Sequence, residues 1–384
     1  MTSTRTRPTV GVVGGGVVGA ALIYTLAHRG VDTVLLEADS GFAYSASGTN
    51  SGVLHTGFDS TPGQLETELI LRAARLRPPV LEALDLPVMH CGAVLRPQQA
   101  EDHDTIARLA RAATDNGVEV TVREQDGALL VPGESVTDPV AFTQAMIAAA
   151  VAAGAHVMTN ARVNAITPTS SGLDLHLEDG RTVACAVAVN CAGLYADEVA
   201  RLVGDESFEI YPRKGEFFVF ELPDGKRLDH IVLPVPTKRT KGVLVFPTLD
   251  GKVVAGPTAV DQSDKTDWSV RAEAEDEILS KARQQYPALE GLTPIDSYAG
   301  LRPAGRDANY IIGPSHACPR LINVAAIRST GLTASLGIAD YVSDLLVPLG
   351  ITLGPTTLPR VSSREPSSEL WWQRTSSRFR GIVG

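Results

Sequence analysis

The stretch Val10-Gly11-Val12-Val13-Gly14-Gly15-Gly16-Val17-Val18-Gly19 runs a short apolar segment straight into a glycine-rich turn. An apolar run of this length, followed by a helical pattern over 20–29, predicts a buried strand, a tight turn and a helix. Gly14 permits the turn, Gly16 lets the backbone approach a pyrophosphate, and Gly19 lets the helix lie close to the strand. The unpaired amides at the helix start then face anionic phosphates. A second apolar run, Thr33-Val34-Leu35-Leu36, ends at Glu37. Its carboxylate is placed to accept both hydroxyls of a ribose and to repel the extra phosphate of an NADP-type ligand. Strand, helix, strand and acid in this order predict a dinucleotide-binding unit over about residues 8–38.

The 384 residues are 44% hydrophobic and 20% charged, a globular balance with enough chain for two connected lobes. A formal net charge of −10, with no basic arm or aromatic-basic stripe, speaks against a nucleic-acid partner. An anionic substrate must then be held by local cations. Cys91, Cys185, Cys191 and Cys318 lack CxxC spacing, so no metal is expected and a reduced, cytoplasmic protein is the simplest reading. MTSTRTRPT enters the first strand without a long apolar segment, so neither signal peptide nor transmembrane segment is expected.

Further along, 45–52 is a polar loop, and 64–76 predicts a helix that ends before Pro78-Pro79. Residues 86–130 hold a short strand, Gly92-Ala93-Val94-Leu95, and an amphipathic helix through Ile106, Leu109, Ala110 and Ala113; they read as an inserted lobe. A helix over 142–153, opened by Pro139, feeds the strand Ala155-His156-Val157-Met158 and returns the chain to a parallel sheet. Strand candidates at 173–177 and 183–189 flank the turn signal Asp179-Gly180. Those at 216–220, 243–246 and 253–255, with Asp250-Gly251, suit an antiparallel sheet flooring a substrate lobe. A helix near 271–285 follows, and Gly331-Leu332-Thr333 opens a last helix toward Leu346. The tail carries Trp371-Trp372 with Arg374, Arg378 and Arg380; aromatics packed on the body are favoured over a peripheral membrane patch.

Six segments together carry a resemblance: GGGVVG with Glu37, SGTNSGVLHTGFDSTPG (47–63), VNCAGLYAD (189–197), FPTLDGKVVAGPTA (246–259), YAGLRPAGRD (298–307) and IRSTGLTAS (327–335). They resemble the D-amino-acid-oxidase-type FAD oxidoreductases, closer within them to glycerol-3-phosphate dehydrogenases or oxidases and to L-2-hydroxyglutarate oxidases. The resemblance implies an α/β fold: an FAD-binding Rossmann-like domain with a parallel sheet, from 8–85, 139–205 and 298–348, and an antiparallel-sheet substrate domain from 86–138 and 206–297, with 349–384 as a tail. By the same resemblance the glycine turn holds the FAD diphosphate and Glu37 the adenosine ribose. Ser47, Thr49, Asn50 and Ser51 line pyrophosphate and ribitol, Val163 offers backbone groups to the adenine, and Ala192-Gly193 lies along the cofactor. The amides of Gly331, Leu332 and Thr333 face the flavin pyrimidine, where a helix start stabilises the charge of the reduced ring. The LRPAGRD segment has no cysteine to tether a flavin, so the FAD is expected to be non-covalent. The additional helical domain of longer membrane-associated relatives is not seen, which leaves oxygen or a soluble carrier as electron acceptor.

His55 is the candidate general base, because an alcohol carbon gives up hydride only as its hydroxyl proton leaves. The resembling oxidases carry a histidine in this NSGVxH context. His28, His90, His103, His156, His176, His230 and His316 lack it and form no metal cluster. Arg302 is the candidate clamp, a planar guanidinium gripping carboxylate or phosphate through two parallel hydrogen bonds. Arg328 offers a second cation, and Arg213 or Lys214 a contribution from the other lobe; Lys238, Arg239 and Lys241 read as a surface loop. The expected activity is oxidation of a small anionic secondary alcohol, first glycerol 3-phosphate, then an L-2-hydroxy acid. The alternatives are an amine, glycine or D-amino-acid oxidase and a flavin-binding partner protein without turnover.

Overall fold

The structure, a computed structural model, describes residues 10–236, 242–306, 308–358 and 369–376. Lys238, Arg239, Lys241, Arg378 and Arg380 lie outside the described residues.

The apolar run at the start becomes the strand Val10–Val13, central in a six-stranded sheet. It pairs in parallel with Thr33–Leu36 on one side and Val187–Asn190 on the other; His156–Met158 and Leu321–Ala325 extend the parallel array, and Ile311–Pro314 closes one edge antiparallel. Strands covered on both faces are apolar throughout, and alternate residues face alternate layers. Val10 and Val12 pack under the helices Val17–Ala27, Leu65–Ala83, Pro139–Ala152 and Gly331–Leu346. Val13, Val34 and Leu36 pack against the three-stranded sheet Val163–Thr169, Gly172–Leu177 and Thr182–Cys185.

The second body is a nine-stranded sheet around the long strand Ile210–Phe220. One of its faces carries Phe217, Phe246, Leu233 and Leu95 toward the site; the other carries Phe218, Phe220 and Val245 under the helix Ala274–Gln285. The pairing is antiparallel except where Ile231–Leu233 runs parallel to Ala93–Leu95, the seam that joins the inserted lobe to the rest of the sheet. A small sheet, Val53–Leu54, Ser135–Thr137 and Val88–Met89, bridges the two bodies.

Several expectations change. The helix expected to stop before Pro78 runs on to Ala83, because packing on Gly331–Leu346 and a hydrogen bond from buried Arg77 to Thr333 O hold it through both prolines. The expected strand at 183–189 is two strands in different sheets, parting at Ala186. Val163–Thr169 is a further strand, which continues through Pro168 in register with Leu173. The strand Asp296–Gly305 pairs along its length with Ile210–Phe220, which puts the start of the 298–348 segment on the nine-stranded sheet. In the tail, Trp372 is buried in the core of that body and Arg374 donates to buried Asp138, so this aromatic is packed inward. By length and composition alone Gly331–Leu349 is long and apolar enough to cross a membrane, and 61% of that window is buried inside the protein.

Candidate active site

The glycine turn is built to near-contact tolerance. Gly14 has φ +108°, and a Cβ there would sit 2.5 Å from Cys191 O. A Cβ on Gly19 would sit 2.0 Å from Gly14 O, so the helix can lie on the turn only without a side chain. Gly16 differs: its Cβ would meet only Ser47 Oγ, at 3.2 Å. Ser47 Oγ accepts from Val17 N at 2.9 Å, and Glu37 accepts from Gly15 N at 2.6 Å and from Asp39 N at 2.8 Å. Burial pushes the Glu37 carboxyl up while these amides pull it back.

From this turn a cavity of about 560 Å³ reaches into the second body. Gly16, Ser47, Thr49, Asn50, Ser51 and Gly193 line it together with His55, Arg302, Arg328, Gly331 and Leu332, and Gly331 stands beside Val17 and Val18 at the start of the first helix. Thr49 Oγ1 is buried without a hydrogen-bond partner, and a Cβ on Gly300 would stand 2.8 Å from it. Asn50 Oδ1 is turned to Gly52 N at 2.9 Å. Ala192, Val163 and Thr333 lie outside the cavity wall: Ala192 N donates to Asn190 Oδ1, Val163 begins the three-stranded sheet, and buried Thr333 is held against Val53 and His55.

His55 lies beside the strand Val53–Leu54, whose partner strand Ser135–Thr137 brings in Glu134. His55 Nδ1 is 2.8 Å from Glu134 Oε2, and the carboxylate is wholly buried. Glu134 Oε1 also accepts from Thr56 N at 2.7 Å and Thr56 Oγ1 at 2.9 Å. An acceptor carboxylate fixes the hydrogen of a neutral imidazole on Nδ1, which makes Nε2 the acceptor. His55 N is pinned by Thr333 Oγ1 at 3.0 Å, so the first turn of the last helix sets the position of the ring.

Arg302 enters from the strand Asp296–Gly305. Nε donates to Arg213 O at 3.1 Å, and Nη2 to Lys214 O at 3.1 Å and Thr258 O at 2.7 Å. Among the described residues Nη1 has no hydrogen-bond partner and the group no ion-paired carboxylate. Burial, with Arg213 and Arg328 nearby, pushes this guanidinium down to about 10. The two-pronged grip expected of it is therefore not free, because both nitrogens of that edge are spent on carbonyls. Lys214, expected to reach the substrate, instead is 1% exposed and bonded to Asp267 Oδ2 at 2.8 Å and Ser269 O at 3.0 Å, outside the cavity. Neighbouring strand residues face opposite ways, and it is Arg213 that lines the cavity, paired with Asp261. Arg328 is exposed on the cavity wall.

A family model described as "FAD dependent oxidoreductase", designated DAO, matches residues 9–345. The chain belongs to this DAO family. It is 28% identical over 352 residues to a glycerol 3-phosphate dehydrogenase of Caloramator mitchellensis, covering 88% of this chain and 73% of that protein. It is 28% identical over 358 residues to a glycerol 3-phosphate oxidase of Mycoplasma pneumoniae, covering 87% and 93%. An L-2-hydroxyglutarate dehydrogenase of Escherichia coli O17:K52:H18 is 27% identical over 266 residues, 65% of this chain and 63% of that one. The solved structure of dithionite-reduced L-alpha-glycerophosphate oxidase from Mycoplasma pneumoniae with FAD bound superposes with a TM-score of 0.85 at 25% identity, covering 94% of this chain and all of the other.

As a DAO-family member the chain is an FAD-dependent oxidoreductase. The site fits that cofactor through a turn that excludes side chains and a buried hydroxyl without a partner on the cavity wall; Glu37, bonded to the turn at Gly15 N, lies outside that wall. Among the described residues no group of His, Cys, Asp and Glu could hold a metal ion. Two site residues escaped the sequence reading. Glu134 has no local motif, although 79 residues separate it from the histidine it holds. Glu66, on the cavity wall, accepts from Thr330 Oγ1 at 2.7 Å and fixes the loop before the last helix. A pairing of the strands flanking 55 and 134 is the one signal that would have found the first.

Proposed function

We propose that this protein oxidises a small anionic secondary alcohol with FAD, and that glycerol 3-phosphate, giving dihydroxyacetone phosphate, is its first substrate. The observation that carries the reading is an imidazole, backed by a buried carboxylate, in one cavity with a guanidinium that lacks a carboxylate partner. The names of the two relatives sharing most of this chain support it.

Bound FAD supplies the acceptor for the hydride leaving the alcohol carbon. In this reading Glu134 keeps the Nδ1 proton in place, and His55 Nε2 takes the hydroxyl proton; the imidazolium so formed is balanced by the carboxylate beside it. Arg302 Nη1 and Arg328 hold the phosphate. One nitrogen from each of two arginines suits the spread oxygens and double charge of a phosphate better than a single carboxylate, which a free two-pronged edge would favour. The turn at Gly14, Gly16 and Gly19, with Ser47, Thr49, Asn50 and Ser51, cradles the diphosphate side, and Glu37 takes the ribose. Val163, Ala192 and Gly193 flank the cofactor, and the amides of Gly331, Leu332 and Thr333 face the ring. The cysteine-free strand Asp296–Gly305 supports a non-covalent FAD. A relative named as an oxidase supports oxygen as acceptor, and four free cysteines suit a reducing, cytoplasmic compartment.

The second reading, an L-2-hydroxy acid such as 2-hydroxyglutarate, uses the same base and has a relative of that name. An amine substrate gives the His55–Glu134 pair no O–H proton to take. Anaerobic titration of the purified holoenzyme with glycerol 3-phosphate, 2-hydroxyglutarate, lactate, glycine and D-alanine tests the set: bleaching of the flavin by glycerol 3-phosphate is expected. Bleaching by an amine alone overturns the reading, and bleaching by none leaves a flavin-binding protein without turnover.

A further inference from the structure

Behind the His55–Glu134 pair lies a second cavity of about 690 Å³, between the helix Leu65–Ala83 and the small bridging sheet. Its floor includes Arg77, which is 8% exposed. Nη1 of Arg77 donates to Thr333 O at 3.0 Å; among the described residues Nε and Nη2 have no hydrogen-bond partner, and no carboxylate stands within ion-pair distance. Burial pushes this guanidinium down to about 10, and the nearby buried carboxylate of Glu134, which is itself bonded to His55 and Thr56, pulls it back only in part. Arg75 and His90 stand exposed on the rim of the same cavity. Against these groups the lining offers one carboxylate, the exposed Glu82. The remaining walls are largely apolar, among them Leu71, Leu81, Leu86 and Val88.

We propose that this cavity is a binding site for a small organic oxyanion, a phosphate or carboxylate on a compact apolar body, distinct from the substrate site. Arg77 supplies the buried end of the clamp and Arg75 the rim, so the anionic group sits deep and the apolar body lies along the leucines. The two prolines sharpen the shape: Pro78 and Pro79 have no N–H for the carbonyls of Ala74 and Arg75, both of which line the cavity. The site is also joined to the first one, since the carbonyl that Arg77 holds belongs to Thr333, whose hydroxyl holds His55 N.

The test is calorimetric titration of the holoenzyme with phenyl phosphate while the flavin spectrum is followed. The second site is expected to bind without changing that spectrum, and binding there should weaken on the order of tenfold in Arg75→Glu. Val118→Trp, which enlarges a half-buried side chain lining the cavity, should abolish it while both variants keep the parental circular dichroism and FAD content. Inorganic phosphate, lacking the apolar body, should bind the same site more weakly. No spectrally silent binding to the wild-type holoenzyme overturns the proposal, and so does an isotherm that neither folded variant alters. These outcomes do not depend on which substrate reduces the flavin.

Discussion

The glycine turn and the His55–Arg302 wall of the main cavity are held by different means. At the glycine turn backbone packs on backbone, with Gly14, Gly19 and Cys191 so close that a single methyl has no room, and Glu37 and Ser47 tie down the amides of Gly15 and Val17. Around His55 and Arg302 the groups are side chains anchored across the fold, His55 on Glu134 and Arg302 on three carbonyls, with Arg328 exposed on the cavity wall. The turn tolerates no change of shape. The wall is adjustable, so within one family the cofactor turn can stay constant while the substrate changes.

The sharpest way to break this contrast is Gly19→Ala. With a Cβ 2.0 Å from Gly14 O the turn must open, and the purified variant should carry little or no FAD, read from the ratio of flavin to protein absorbance. Arg302→Met on the wall should leave the FAD bound. It should weaken glycerol 3-phosphate binding by about tenfold to a hundredfold, read from anaerobic flavin titration, because a substrate anion then meets an unpaired pocket. Glu134→Gln removes the charge behind His55 but keeps its shape, and should slow anaerobic flavin reduction by about tenfold or more. Lys214→Met tests whether Lys214 stands outside the substrate site. Binding should stay within about twofold of the parent, with a lower melting temperature from the loss of the bond to Asp267.

What the sequence revealed follows the same division. The glycine turn, Glu37, the parallel order of strands and the helix at Gly331 could be read because the physics that fixes them is local: spacing, alternation and the absence of a side chain. The same logic found the hairpin turns at Asp179-Gly180 and Asp250-Gly251. The substrate wall could be read only in part. His55 and Arg302 line the cavity, but their settings depend on Glu134 and Thr258, which are distant in sequence and carry no motif. Lys214 was misread because strand alternation, and not proximity to Arg213, decides which side chain faces the cavity. Pro78 and Pro79 were misread because tertiary packing and the Arg77 bond outweigh local breaker chemistry.

The smallest expected effect concerns stability. Asp205 is buried, which pushes its carboxyl up, but hydrogen bonds led by those from Ser207 and Ser315 outweigh this and hold it down to about 2. Its unfolded value is ordinary, about 3.9, so the stabilisation is full above that pH and is lost as pH falls toward 2. Urea unfolding of the wild type and Asp205→Asn between pH 7 and 2 should show the stability gap narrowing across this window.

The most direct test of the proposed chemistry is the rate of flavin bleaching by saturating glycerol 3-phosphate in anaerobic stopped flow, wild type against His55→Ala. The account predicts a rate lower by on the order of a hundredfold or more, with FAD fully retained. Equal rates in the two proteins would contradict it.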